Sequence, residues 1–232
     1  MAEGNIITIE KNGTSFFQMS AESEMEKYRY SSFWQKEPET LSWLDSFKKA
    51  DCFIDVGANI GVYTLYAAHK YHKMLIYAFE PMKKNYDRLW DNIVLNGFKN
   101  IIPFQWAVGA RVGFSKFCSD GEVGTSGGQL GSGEKIQVVS VDTIISATSL
   151  RNVNLKIDID GLELDVINGA LNSLTYIKSI LIEVSKKTKK DVGNILIDAG
   201  FSIDNKFNKM LPHSSERRAK ANIDAENIVF TR

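Results

Sequence analysis

The chain has 232 residues, 44% of them apolar, with 28 lysines and arginines against 28 aspartates and glutamates. That length suits one domain or a domain and a half around a sizeable core, and a balanced charge is a poor basis for general nucleic-acid binding, which draws on a basic surface. Cys52 and Cys118 make neither a disulfide framework nor a zinc spacing, no basic-then-apolar leader opens the sequence, and no apolar run approaches the ~18 residues of a membrane span.

The expectation is therefore a soluble cytoplasmic protein that partners neither membrane nor nucleic acid; oligomeric state is not legible. The first 50 residues carry a helical pattern through "EPETLSWLDSF" (37–47) and read as a helical cap or extension on a domain spanning 51–232. From residue 52 strands and helices alternate. "CFIDVG" (52–57) is a short apolar strand and "NIGVYTLYAAHKYH" (59–72) a helix whose apolar positions recur at helical spacing. "MLIYAFE" (74–80) is a strand, "NYDRLWDNIVLNG" (85–97) a helix stopped by Gly97, and "NIIPFQWAV" (100–108) a third strand weakened at its centre by Pro103. "VGFSKFCS" (112–119) and "KIQVVSVDTI" (135–144) read as strands with no helix between them. The glycine-rich link 120–134 reads as a mobile loop and not a phosphate cradle, since no basic residue or helix start follows its glycines. "VNLKIDID" (153–160), a helix over 162–174, "SILIEVS" (179–185), a helix over 189–200, and a closing antiparallel pair from 201–205 and 227–232 complete the chain. Such alternation implies a mostly parallel sheet with helices on both faces, whose ligands bind at the carboxyl ends of the strands.

That rule singles out "FIDVGANIG" (53–61). In a dinucleotide turn the middle position is a glycine, to let the pyrophosphate approach the backbone. Here Asn59 stands between Gly57 and Gly61, and Asp55 would repel a phosphate. S-adenosylmethionine resolves the conflict: it lacks phosphate and is a net cation, so Asp55 can accept from its ammonium. Glu80 ends the second strand, where an acid can hold both ribose hydroxyls. A nicotinamide enzyme would place an acid there too, and first-turn acid before Pro81 is a competing role. A nicotinamide-dependent sugar enzyme would further need a phosphate-compatible turn and a Tyr-x-x-x-Lys pair, which the sheet region is read as lacking.

The segments "FIDVGANIGVYTL", "AFEPMKKNYDRLWDNIVLNG", "WAVGA" and "LKIDIDGLELDVINGA" together resemble the FkbM family of S-adenosylmethionine-dependent methyltransferases, from about Glu37 to about Phe201. The "KIDIDGLE" segment is the specific part. The resemblance implies the seven-stranded class I methyltransferase sheet with a reversed last strand, S-adenosylmethionine as cofactor, and O-methylation of a small acceptor such as a sugar or secondary metabolite; no metal ligands are expected, since the sequence has no histidine cluster, although spacing leaves metal assistance open. A non-catalytic partner keeping the fold is the remaining alternative.

Cofactor contacts are then expected at Glu37, Asp55, Gly57, Asn59, Gly61, Glu80, Trp106, Ala107 and Asp158, with Trp106 flanking the adenine. Asp158, at the end of the fourth strand, is the candidate catalytic residue: a hydroxyl acceptor must lose a proton, and a nearby carboxylate can take it. Asp160, Glu163 and His213 are candidate acceptor contacts. A capping box at the start of the following helix competes for Asp160 and Glu163, and a plain loop-surface role for His213. Lys156 is expected to reach solvent past its strand end, and His69 and His72 to serve the helix dipole. Residues 206–226 match nothing in the family pattern.

Overall fold

A computed structural model describes residues 5–48, 51–118, 121–125, 129–130, 133–208 and 225–232. The strands are β1 (Ile6–Lys11), β2 (Thr14–Ser20), β3 (Cys52–Val56), β4 (Ile76–Phe79), β5 (Ile101–Phe104), β6 (Ala107–Val108), β7 (Gly113–Cys118), β8 (Gln129–Leu130), β9 (Glu134–Val139), β10 (Val153–Ile157), β11 (Ile177–Ser185), β12 (Ser202–Ile203) and β13 (Ala225–Thr231). The helices are α1 (Glu24–Ser31), α2 (Phe33–Lys36), α3 (Pro38–Asp45), α4 (Val62–Lys70), α5 (Lys83–Asn96), α6 (Val141–Thr148), α7 (Glu163–Asn168), α8 (Lys189–Asp198) and α9 (Asn205–Asn208).

Seven strands form the central sheet in the order β12-β13-β11-β10-β3-β4-β5. β10, β11, β3, β4 and β5 run parallel, and β13 lies antiparallel between β11 and β12. This is the order and polarity of the class I methyltransferase sheet. β3 has β4 on one side and β10 on the other, so its carboxyl end opens at the switch point, where a ligand can enter between diverging loops. Apolar side chains close both faces. Phe53, Leu65, Ile76 and Leu89 pack on one side, and Ile54, Leu155, Ile167, Ile182 and Leu196 on the other.

Three sequence expectations change. The stretch 100–108 is two strands: β5 ends at Phe104 on the edge of the main sheet, where Pro103 costs no interior ladder bond, while β6 joins a separate four-stranded sheet of order β6-β9-β7-β8. The strand expected over 135–144 stops at Val139. Ser140 then accepts a hydrogen bond from the Thr143 backbone N–H and caps α6, a helix the alternating reading overlooks. The helix expected over 162–174 ends at Asn168. There Gly169 runs so close to another chain segment that a Cβ would stand 2.2 Å from the Gly109 carbonyl oxygen.

Before the helices of the first 48 residues comes a feature the helical pattern does not announce, the β1–β2 hairpin. Its turn, Asn12-Gly13, has φ of 52° and 77°, the mirror-image turn that suits the twist of a hairpin. Ile9, Phe17 and Met19 of this hairpin and Phe33, Trp43 and Leu44 of the following helices join the same apolar cluster as the α4 and α5 face of the sheet. Asn92 and Asn96 of α5 accept from the backbone N–H groups of Ser20 and Gln18 and so hold β2 against that helix.

Candidate active site

The β3–α4 turn is built on positive backbone angles. Gly57 has φ +81°, and a Cβ there would stand 2.0 Å from the Asp158 carbonyl oxygen. Gly61 has φ +92° and begins α4, where a Cβ would stand 2.5 Å from Leu89 Cδ1. Between them Asn59 adopts φ 53°, a conformation Asn tolerates better than most residues. Its Oδ1 accepts from the Ile60 N–H at 2.9 Å, and its Nδ2 donates to the Thr125 carbonyl at 2.7 Å. Asn85 Nδ2 donates to the same carbonyl at 3.0 Å. Thus part of the glycine-rich link, expected only as a mobile loop, is fastened over the turn.

Glu80 follows β4 and is buried. Its two carboxylate oxygens accept from the Asn59 and Met82 backbone N–H groups, each at 2.8 Å. Burial pushes its pKa up to about 7, against the lowering effect of those two N–H groups and of the Arg29 charge. Across the cleft, the Asp158 backbone N–H donates to the Val56 carbonyl at 3.0 Å, locking the end of β10 to the end of β3. Gly57, Asn59, Glu80, Trp106, Ala107, Asp158 and Asp160 line one open cleft, the kind of concave place where small ligands bind. Trp106 rests on Phe104 with ring centroids 4.5 Å apart.

Lys156 is the residue sequence reasoning misplaced. It does not reach solvent: its side chain is 1% exposed, and Nζ lies 2.9 Å from Asp158 Oδ2 and 3.4 Å from Asp55 Oδ1. The reason is register. Lys156 pairs with Asp55 across the parallel β10–β3 ladder, and side chains at paired positions share a face of the sheet. Burial alone would lower the Lys156 pKa; the Asp158 and Asp55 carboxylates outweigh it and raise the value. Burial likewise disfavours the charge of Asp158, but the Lys156 ammonium prevails and holds Asp158 below the usual carboxylate range.

Asp55 is fully buried, and its Oδ2 accepts from Thr64 Oγ1 at 2.6 Å. It sits behind the cleft wall, beside Lys156. Glu37 is also buried; it accepts from Tyr63 Oη at 2.9 Å and Thr40 Oγ1 at 3.2 Å and pairs with Lys36 at 2.7 Å. Tyr63 in turn lies beneath Lys156, whose Nζ is 5.5 Å from the ring centroid. The capping box expected at α7 does not form. Leu162 is the cap residue, and Glu163 accepts instead from the Gly161 N–H at 2.8 Å, buried away from the cleft, where burial raises its pKa. His213 lies outside the described residues. One Tyr-x-x-x-Lys spacing does occur, contrary to the sequence reading: Tyr66 and Lys70. Both bind Asp45, Tyr66 Oη at 2.7 Å, and neither lines the cleft.

The donor set fits S-adenosylmethionine. An acid stands where a ribose is held, the glycine turn leaves the backbone bare, and no phosphate-compatible glycine occupies position 59. The fold and cleft define a class I methyltransferase. Residues 55–212 match the methyltransferase FkbM domain, and the chain belongs to that family, whose methyl donor is S-adenosylmethionine. It is similar to the hexuronic acid methyltransferase AglP of Haloferax volcanii, 27% identical over 170 residues that cover 69% of this chain and 67% of the relative. Among solved structures it resembles a candidate rRNA methylase of Clostridium thermocellum, with a TM-score of 0.53 at 8% identity, covering 85% of this chain and 94% of that one. The latter is a likeness of fold alone. Among the described residues no helix is long and apolar enough to cross a membrane.

Proposed function

We propose that this protein is an O-methyltransferase acting on a sugar or a related small hydroxylated metabolite. Bound S-adenosylmethionine supplies an electrophilic methyl group with a good leaving group, so placement of the acceptor carries much of the catalysis. In this reading Glu80 holds the ribose hydroxyls, Trp106 and Ala107 flank the adenine, and the bare turn at Gly57 admits the methionyl part. The observation that carries the proposal is Asp158: a cleft-lining carboxylate at the switch point, kept ionised by a buried lysine. A lowered pKa makes it a weak proton sink but a dependable hydrogen-bond acceptor, able to orient an acceptor hydroxyl and receive its proton as the bond to carbon forms. Asp160, exposed at the same rim, is placed to touch the acceptor. The similarity to a methyltransferase named for a hexuronic acid supports a sugar as the acceptor class.

The test is transfer of labelled methyl from S-adenosylmethionine to a panel of neutral sugars, uronic acids and polyketide-like alcohols. Label on a sugar oxygen supports the proposal. Label only on nitrogen acceptors, or on none of the panel while S-adenosylhomocysteine binds, counts against it.

A further inference from the structure

We infer that Arg29 and Lys36 form a carboxylate-binding site beside the cleft, on the side where Asp158 stands. The inference rests on the methyltransferase reading and adds a charge requirement to it. Arg29 of α1 and Lys36 of α2 converge with Phe33, Val62 and Tyr63 on a narrow surface crevice. Val62 and Tyr63 are the first residues of α4, directly after the glycine turn, and no side chain caps that helix. Two cations therefore face the start of a helix, whose leading N–H groups also favour an anion.

Both cations are held in place from behind. Arg29 donates its Nε–H to the Gly124 carbonyl, and no other hydrogen bond or ion pair of its guanidinium is found among the described residues. Lys36 is fixed at 2.7 Å from Glu37, a carboxylate that Tyr63 and Thr40 hold on its other side. The site adjoins the cleft: Gly124, which accepts from Arg29, precedes Thr125, whose carbonyl Asn59 and Asn85 hold at the cleft wall, and the Tyr63 ring lies 5.5 Å from Lys156 Nζ. A planar guanidinium fork with a neighbouring ammonium is suited to a carboxylate, which it can bind through two parallel hydrogen bonds. Such a group can come from the amino-acid end of the cofactor or from an acidic acceptor such as a uronic acid.

The experiment compares S-adenosylhomocysteine with 5′-methylthioadenosine, which keeps the nucleoside and lacks the amino-acid end. Both are titrated calorimetrically into the wild type, Arg29→Gln and Lys36→Gln. Using the ratio of the two affinities cancels any effect of Arg29 on Glu80, and methylthioadenosine binding reads the fold of each variant. Should Arg29→Gln bind neither nucleoside, Arg29→Lys, which keeps the charge and loses the fork, takes its place. A loss of at least ~10-fold in the preference for S-adenosylhomocysteine, the scale of one charge-assisted hydrogen bond, places the cofactor's carboxylate at the site. In the second arm the S-adenosylhomocysteine-loaded protein is titrated with glucuronate and glucose. A glucuronate preference that both variants lose, with the nucleoside ratio unchanged, places the acceptor's carboxylate there. No change in either arm overturns the inference. A wild type that binds neither nucleoside overturns the cofactor reading, and the inference with it.

Discussion

Lys156 Nζ lies 2.9 Å from Asp158 Oδ2, so a cleft-lining acid at the switch point is tied to a cation that is itself out of reach of water. The second anchor of that cation, Asp55 at 3.4 Å, is locked to Thr64 at the back of the cleft. Charge is thus passed from a fully buried acid, through a buried lysine, to an acid that a ligand can touch.

Replacing Lys156 with methionine leaves two acids without their counter-charge. Removing one partner of a buried pair typically costs about 3–5 kcal/mol, and a loss of that size in urea-unfolding free energy is expected. Asp158 should then titrate at higher pH. A variant as stable as the wild type would show that the lysine is dispensable to the fold.

Asp158→Asn separates orientation of the acceptor from binding of the cofactor. Turnover is expected to fall about 10²–10⁴-fold, the usual effect of losing a proton-accepting group, while affinity for S-adenosylhomocysteine changes less than ~10-fold. A methyl-transfer assay and a titration on the same preparation read both. Equal losses in the two would assign Asp158 to the cofactor's ammonium instead.

With Glu80 holding the ribose hydroxyls, as proposed, cofactor binding is expected to depend on pH. The Glu80 pKa is about 7, raised by burial, and ribose hydroxyls donate best to the ionised form. Binding should therefore favour high pH. Protonation is about ten to one at pH 6 and one to ten at pH 8, so affinity for S-adenosylhomocysteine should rise roughly 10-fold across that interval. In the ligand-free protein the sign is opposite. A carboxyl whose pKa is raised on folding contributes stability below its unfolded value of 4.5, and that contribution disappears as pH rises through about 7. Glu80→Gln should bind more weakly and show a flat profile over the same range.

Gly57→Ala combines a positive φ with a clash against the Asp158 carbonyl. Strain at such a position costs roughly 1–3 kcal/mol before any overlap is counted. The variant should melt lower and lose cofactor affinity, because relieving the overlap pushes β3 away from β10 where the ligand enters.

The acids and glycines after β3, β4 and β10 were legible in the sequence because strand–helix alternation places strand ends on one rim. Lys156 was not, because its neighbours are fixed by a pairing between segments about 100 residues apart, which no local pattern reports. The same holds for Glu163, whose spacing from Asp160 suggests a cap until the turn at Gly161 takes its carboxylate. The hairpin at the start was readable in principle, since Asn12-Gly13 stands between two apolar-rich runs. The reading passed over it for the stronger helical period further on. The second sheet was obscured because β6 follows β5 after only Gln105 and Trp106, and nothing local tells the chain to change sheets there.

The hairpin's side chains Ile9, Phe17 and Met19 meet the α4 and α5 face, and its backbone leans on Asn92 and Asn96. Cutting the chain just before β3 would strip that face to water and leave the buried Asn92 amide oxygen without its donor. An exposed apolar surface of that kind drives self-association. Such a fragment, although it would retain every residue after strand β3 that touches the cleft, should precipitate and fail to bind a nucleoside.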